Sequence, residues 1–306
     1  ARAAQIGPLP LVLAAAQDEE ALRALKAACE AGLAQPMLVG DEALIRPLLV
    51  RVGLPSSIPS VHEPDPALAA VAATVALAVQ QGWRVALCYR QDGSTAAAFE
   101  QQIKQQACLQ DGQIFCMQAD IVDEAQVQHL FERTLAHFGQ LDALVNNAGT
   151  VGARSRFADM DLARWQQLFA TNVLGSMLCA RAAVRHMSTA CGGRGGSIIN
   201  VGSVASRLGA AGRYVDYAAS KGAIDSLTIG LALELASEGI RVNAVRPGVV
   251  DTRIHTDTPA QMQQRARVIP LQRIASPQEI AQAILWLASP QASYVTGLLM
   301  DVAGGR

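Results

Sequence analysis

Charge is scarce in this chain and evenly balanced. Only 17% of its 306 residues are Asp, Glu, Lys or Arg, and the formal net charge is −1. No field of one sign exists to attract a polyanion, so nucleic acid is excluded as an expected partner. No apolar run reaches the roughly 20 residues of a membrane-spanning helix. Leu9–Ala16 is too short for an export leader and has only Arg2 as a basic flank. The six cysteines, at 29, 88, 108, 116, 179 and 191, contain no Cys-x-x-Cys and are read as reduced thiols of a cytoplasmic protein. The five histidines show no metal-ligand spacing, so no metal is expected, and His255 is assigned to solvent or a substrate loop. Glycine is missing from one long stretch: residues 57–73 contain none.

What is present is an extensive apolar complement, 51% of residues, enough for one large α/β domain or a domain with an appendage. Short apolar runs rich in β-formers occur at Arg84–Tyr89, Leu141–Val145, Ser197–Val201 and Ile240–Val245. Between them, apolar spacings of three and four predict helices over Glu124–Phe138, Leu162–Val173, Tyr217–Ser237 and Pro277–Leu287. Alternation of this kind implies βαβ units and a parallel sheet, which binds ligands beyond the carboxyl ends of its strands. Three marked turns fall at such ends: Asn146-Asn147-Ala148-Gly149, the turn at Ser203, and Pro247-Gly248. Downstream of Ser203 lies Tyr217-Ala-Ala-Ser-Lys221. Four residues apart on a helix, Tyr217 and Lys221 share a face. An ammonium beside a phenol favours the phenolate and is expected to draw the Tyr217 pKa down from about 10. A tyrosine so tuned can pass a proton to or from a carbonyl or alcohol. On its own the pair also reads as an exposed helix contact worth about 0.2–0.5 kcal/mol.

With these motifs in order and at these spacings, roughly residues 74–306 resemble the short-chain dehydrogenase/reductase family. The resemblance implies a Rossmann-like, doubly wound parallel sheet and reversible hydride transfer between a nicotinamide and a carbonyl or secondary alcohol. It implies catalytic roles for Asn172 (supporting a water relay to the lysine), Ser203 (orienting the substrate oxygen), Tyr217 (acid/base) and Lys221 (tuning Tyr217 and holding the nicotinamide ribose). It places Asp120 and Ile121 near the adenine, Asn147, Ala148 and Gly149 along the cofactor, and Pro247, Gly248, Val250 and Thr252 beside the nicotinamide. The tail Ser293–Gly305 is similar to the family's last strand. Members of the family pair through helices corresponding to 162–187 and 217–237, so a homodimer or homotetramer is expected. Three residues keep a second reading. Ser206 is an alternative hydroxyl to Ser203, Asn172 could be an ordinary helix residue, and Asp120 could cap the helix at Glu124. The glycine run Gly192–Gly196 precedes a strand and is read as a connector rather than a phosphate loop.

Cofactor choice is read from the end of the strand at 84–89. An acidic residue there would accept the adenosine ribose hydroxyls; Arg90 stands there instead and favours the 2′-phosphate, hence NADP over NAD. The family's glycine-rich turn between first strand and first helix is absent, and no Gly-x-x-x-Gly-x-Gly precedes Asn146. Such glycines let backbone approach a pyrophosphate, whereas 57–73 offers Glu63 and Asp65. Upstream, strands are predicted at Leu9–Ala16, Pro36–Val39 and Ser57–His62, and helices at Asp18–Leu33 and Pro66–Gln81. Residues 5–75 resemble the start of the catalytic domain of phosphate acetyl- and butyryltransferases, in Ala14–Glu20, Gly32–Asp41 and His62–Pro66. No functional residue is carried over from that likeness. The expected organisation is an N-terminal α/β segment at 1–66 and the dehydrogenase core at 67–306. The two together would form a hybrid in which Ser57–His62 or Leu9–Ala16 supplies the missing strand. Two functional expectations follow: an NAD(P)-dependent oxidoreductase, or an impaired or non-catalytic Rossmann-like protein with a lost dinucleotide site.

Overall fold

The structure is a computed structural model. It describes residues 9–14, 34–40, 60–62, 81–90, 112–250 and 264–306, with helical positions at 26, 30, 47, 49–52, 75 and 77–79 and residue 54. Nine strands are described: β1 (Leu9–Ala14), β2 (Ala34–Gly40), β3 (Ser60–His62), β4 (Val85–Tyr89), β5 (Ile114–Gln118), β6 (Ala143–Asn146), β7 (Gly196–Val201), β8 (Ile240–Pro247) and β9 (Leu299–Val302). The principal helices are α1 (Glu124–Phe138), α2 (Leu162–Phe169), α3 (Ser176–Met187), α4 (Ala205–Leu208), α5 (Val215–Leu235) and α6 (Pro277–Ala288).

Every ladder among the described residues is parallel. The ladders group as β1-β2-β3, β4-β5 and β6-β7-β8-β9. The fold is therefore α/β and Rossmann-like, with helices on both faces of the largest sheet. Successive strand residues point to opposite faces, and Ile198 and Ile199 show it. Ile198, with Ile240 and Val242, packs under α1, α3 and α5 through Val127, Phe131, Cys179, Met187 and Leu235. Ile199, with Val245, packs under α6 through Ile280, Ile284 and Leu287. The 75–79 helix joins α6 through Leu77, Ala78 and Leu285. Burial pushes the Cys179 thiol up to about 12, so it stays a thiol in this core.

Helix ends are set by local chemistry. Asp123 caps α1, accepting from the Ala125 and Gln126 amides. Asp120 does not: its Oδ1 accepts the Val122 amide in a local turn, which removes the capping alternative. Ser276 and Glu279 form a reciprocal capping box at α6. The helix predicted as one unit at 162–173 is interrupted: α2 runs into a π-helical turn at Ala170–Gly175, then α3. The glycines after α3 are structural. A side chain at Gly195 would collide with the Gly239 carbonyl, and one at Gly193 with the Met187 backbone. The Gly193, Gly195 and Gly196 amides all donate to backbone carbonyls.

Two expectations change. Strand β5 was not predicted. Of the strand expected at 57–62, residues 60–62 are described, and among the described residues β3 pairs only with β2, not with β4 or β6. Among the described residues no ladder joins β3 to the dehydrogenase sheet. Where a helix is expected at 18–33, the described helical positions Lys26 and Glu30 form an i,i+4 ion pair at 3.6 Å. Thr252, Glu63, Asp65 and Cys29 lie outside the described residues.

Candidate active site

β7 ends at Val201, and the chain then turns through Gly202 and Ser203 into α4. Ser203 Oγ accepts the Ala205 amide at 3.1 Å, and the Ser203 hydroxyl beside the phenol pulls the Tyr217 pKa downward. Ser206 instead donates its hydroxyl to the Ser203 carbonyl at 2.8 Å. The geometry thus brings Ser203, not Ser206, onto Tyr217. Tyr217 and Lys221 lie in the first two turns of α5, with Lys221 Nζ 5.8 Å from the phenol ring centroid. Lys221 is only 5% exposed, and its Nζ donates to the Val201 carbonyl at 2.6 Å.

The electrostatics differ from the expected pattern. Burial pushes the Tyr217 hydroxyl above its ordinary value, and the Ser203 hydrogen bond opposes this only in part. Lys221 is drawn down to about 8 by burial, with Asp225 pulling the other way. The expectation that Lys221 lowers Tyr217 is therefore corrected. The ammonium is itself desolvated and committed to a carbonyl, so desolvation of the phenolate outweighs its attraction. Asp225, one turn beyond Lys221, was not singled out beforehand, although it continues the same four-residue spacing. Its Oδ2 accepts Arg246 Nη1 at 3.2 Å. Its buried Oδ1 has no hydrogen-bond partner among the described residues.

Asn172 sits in the π-helical turn, 1% exposed, where such bulges often accompany function. Its Oδ1 accepts the Thr150 amide at 2.8 Å; its Nδ2 donates to the Thr150 carbonyl at 2.9 Å and Ser220 Oγ at 3.0 Å. The amide thus joins the turn after β6 to α5. Gly149 lies between these groups: a Cβ there would stand 3.4 Å from Asn172 Oδ1 and 3.6 Å from Lys221 Nζ. Asn147, Ala148 and Gly149 are exposed. Beneath them buried Asn146 donates to Asn200 Oδ1 at 3.0 Å and to the Ser176 carbonyl at 3.2 Å, locking the strand ends together.

Toward the other sheet, Arg90 and Asp120 line one open cleft of about 620 Å³ with Gln118, Gln126 and Gln167. Gln118 Nε2 donates to the Arg90 carbonyl at 3.0 Å. Ile121 packs on Gly175 of the π turn, where a Cβ would come within 2.6 Å of it. Gly248 is pressed against Ala303, 2.9 Å from where a Cβ would stand, so only glycine fits. Pro247 ends β8 and accepts the Val204 amide, and Val250 bridges to Ala275. These groups form a band along the carboxyl ends of β4–β8. The open shelf at Gly149 and the cleft at Arg90 suit a dinucleotide's donors and acceptors.

Residues 69–306 match the family model described as Enoyl-(Acyl carrier protein) reductase. The solved structure of a short-chain dehydrogenase/reductase from Serratia marcescens superposes with a TM-score of 0.70 at 32% identity, covering 77% of this chain and 92% of that one. The chain belongs to the short-chain dehydrogenase/reductase family. An uncharacterized oxidoreductase of Escherichia coli, YgfF, is 47% identical over 236 residues, 76% of this chain and 94% of that protein. Glucose 1-dehydrogenase 2 of Bacillus subtilis is 37% identical over 72% of this chain and 84% of its own length. As a member of this dehydrogenase/reductase family, the protein is an NAD(P)-dependent oxidoreductase. No described helix is long and apolar enough to cross a membrane.

Proposed function

We propose that this short-chain dehydrogenase/reductase interconverts a small carbonyl compound and its secondary alcohol with Tyr217 as the acid/base. The observation that carries this reading is the convergence of Ser203, Tyr217 and Lys221 at the carboxyl end of β7, with Lys221 Nζ 5.8 Å from the Tyr217 ring centroid and donating to the Val201 carbonyl at 2.6 Å. Ser203 orients the substrate oxygen, and Tyr217 gives it a proton in the reductive direction or takes one in the oxidative direction. Lys221 holds positive charge beside the phenol, and Asn172 fixes the Thr150 turn against α5. The nicotinamide, when bound, supplies or accepts the hydride. Arg90, Asp120, Ile121, Asn147, Ala148, Gly149, Lys221, Pro247, Gly248, Val250 and Thr252 are the residues we assign to holding it, and exposed Arg90 favours NADP.

The reading is tested by Tyr217→Phe. The hydroxyl's loss leaves the ring's packing, so melting should be unchanged while turnover falls by about 10²–10⁴-fold. Glucose is the first alcohol to assay. Wild-type rates in the phenylalanine variant would sink the assignment.

The second reading, a protein of this fold with weakened dinucleotide binding, rests on the glycine-free stretch at 57–73. NADPH fluorescence titration separates the two. Saturation at micromolar NADPH supports the first, and no binding at millimolar concentration supports the second. Under either reading we assign residues 1–66 to an appended segment of separate origin and 67–306 to the dehydrogenase core.

A further inference from the structure

One ion pair outside the Ser203–Tyr217–Lys221 cluster joins three parts of the molecule. Arg164 on α2 forks onto Asp216, the residue before Tyr217: Nε reaches Oδ2 at 2.6 Å and Nη2 reaches Oδ1 at 3.2 Å. The side chains are 17% and 2% exposed. Through Nη1 the same guanidinium donates to the Ala153 carbonyl at 2.6 Å. Gly152, at φ +67°, lets the chain pass close by; a Cβ there would stand 3.3 Å from the guanidinium carbon. Asp216 Oδ1 also accepts the Tyr217 amide at 2.9 Å. Two more bonds run alongside. Arg154 Nε donates to Tyr214 Oη at 3.0 Å, and the Ser155 amide to the Arg213 carbonyl at 3.1 Å. The segment leaving β6 is therefore stitched to residues 213–217, and the stitch is anchored on α2.

We propose that the Arg164–Asp216 pair is a positioning latch that holds the segment Thr150–Phe157 against the first turn of α5, so that the Tyr217 hydroxyl and this segment keep one mutual geometry. The inference rests on Tyr217 being the acid/base. A buried ion pair is poor as a source of net stability, because desolvation offsets most of its attraction. A planar fork engaging a carboxylate and a carbonyl at once does fix orientation. Misplacing a reacting group by about 1 Å can cost on the order of 10²-fold in rate.

Removing one partner alone would strand a buried charge, so the informative variant replaces both: Arg164→Met with Asp216→Leu. Arg164→Lys serves as the conservative companion. Three readouts are compared: melting temperature, NADPH affinity, and amide exchange over 150–157 and 213–217. Turnover is followed on the alcohol that the wild type oxidises fastest. The double variant should melt within a few degrees of wild type and bind NADPH within about twofold. Its amides in both segments should exchange faster, and kcat should fall at least tenfold with a smaller change in KM. Arg164→Lys should recover part of kcat. Unchanged exchange in both segments overturns the latch, as does lost activity that only tracks lost folded protein. If wild type shows no turnover on any alcohol, the Tyr217 reading fails, and the exchange measurement still decides whether the two segments are latched.

Discussion

Lys221 is under two opposing influences: burial lowers its pKa to about 8, and Asp225 one turn away raises it. Tyr217, raised by burial, keeps its proton well past that point. Between pH 7 and 9 the site therefore loses charge at Lys221 while the phenol stays protonated. We expect kcat/KM for carbonyl reduction to fall on the alkaline side with an apparent pKa of about 8. Asp225→Asn should move that limb to lower pH, and an unmoved limb would show that another group titrates there. Stability should run the other way. The folded pKa of about 8 lies below the ordinary lysine value of 10.5, so the unfolded chain binds more protons in that window. The lysine's contribution to stability then rises with pH from 8 to 10.5. Melting temperature measured across that window at constant ionic strength checks the sign, against the Lys221→Met variant as reference. Tyr217 and Lys221 were legible because helical spacing alone puts them on one face. The pairing of Asn172 with Thr150 was not, because it joins segments 22 residues apart, and no local period encodes that.

Among the elements, the carboxyl end of α6 depends on a residue from a strand. Arg241 of β8 donates to the Leu287 carbonyl at 2.8 Å, Ser289 at 3.1 Å, Val295 at 3.3 Å and Ala288 at 3.4 Å. Carbonyls in the last turn of a helix have no partner within it. Leu287 and Val295 keep Ser197 and Asn243 as donors, but loss of Arg241 takes a donor from the Ala288 and Ser289 carbonyls at a part-buried site, at a cost of about 1–3 kcal/mol. Arg241→Ala should lower the urea midpoint accordingly without altering the m-value, and a midpoint unchanged from wild type would contradict this. The bounds of α1 were legible to the residue, since Asp123 and Gly139 mark both ends with ordinary cap chemistry. The break between α2 and α3 was not. The run Ala170–Gly175 keeps a helical pattern, and the π turn arises where Asn172 turns inward to Thr150 and Gly175 receives Ile121.

On the scale of the whole molecule, large apolar side chains stand exposed on the helices where the family pairs. Leu162, Leu174 and Met177 lie along α2–α3, and Ile229 and Leu233 on α5, with Leu233 80% exposed. Burying such a surface between copies is favourable by about 25 cal/mol per Å² of apolar area, so we propose a homodimer or homotetramer through these faces. Leu233→Glu should shift sedimentation velocity toward the monomer at micromolar concentration; a mass unchanged from wild type would place the interface elsewhere. The sequence by itself determined the alternation of strands and helices and the family of roughly residues 74–306, and it singled out Ser203, Tyr217 and Lys221, because each rests on spacing within a short segment. Only the tertiary structure decided that Ser203 rather than Ser206 meets Tyr217, that burial outweighs the ammonium at the phenol, and that β3 pairs with β2. Those outcomes depend on which distant groups exclude water from one another, a property of packing that local spacing does not carry.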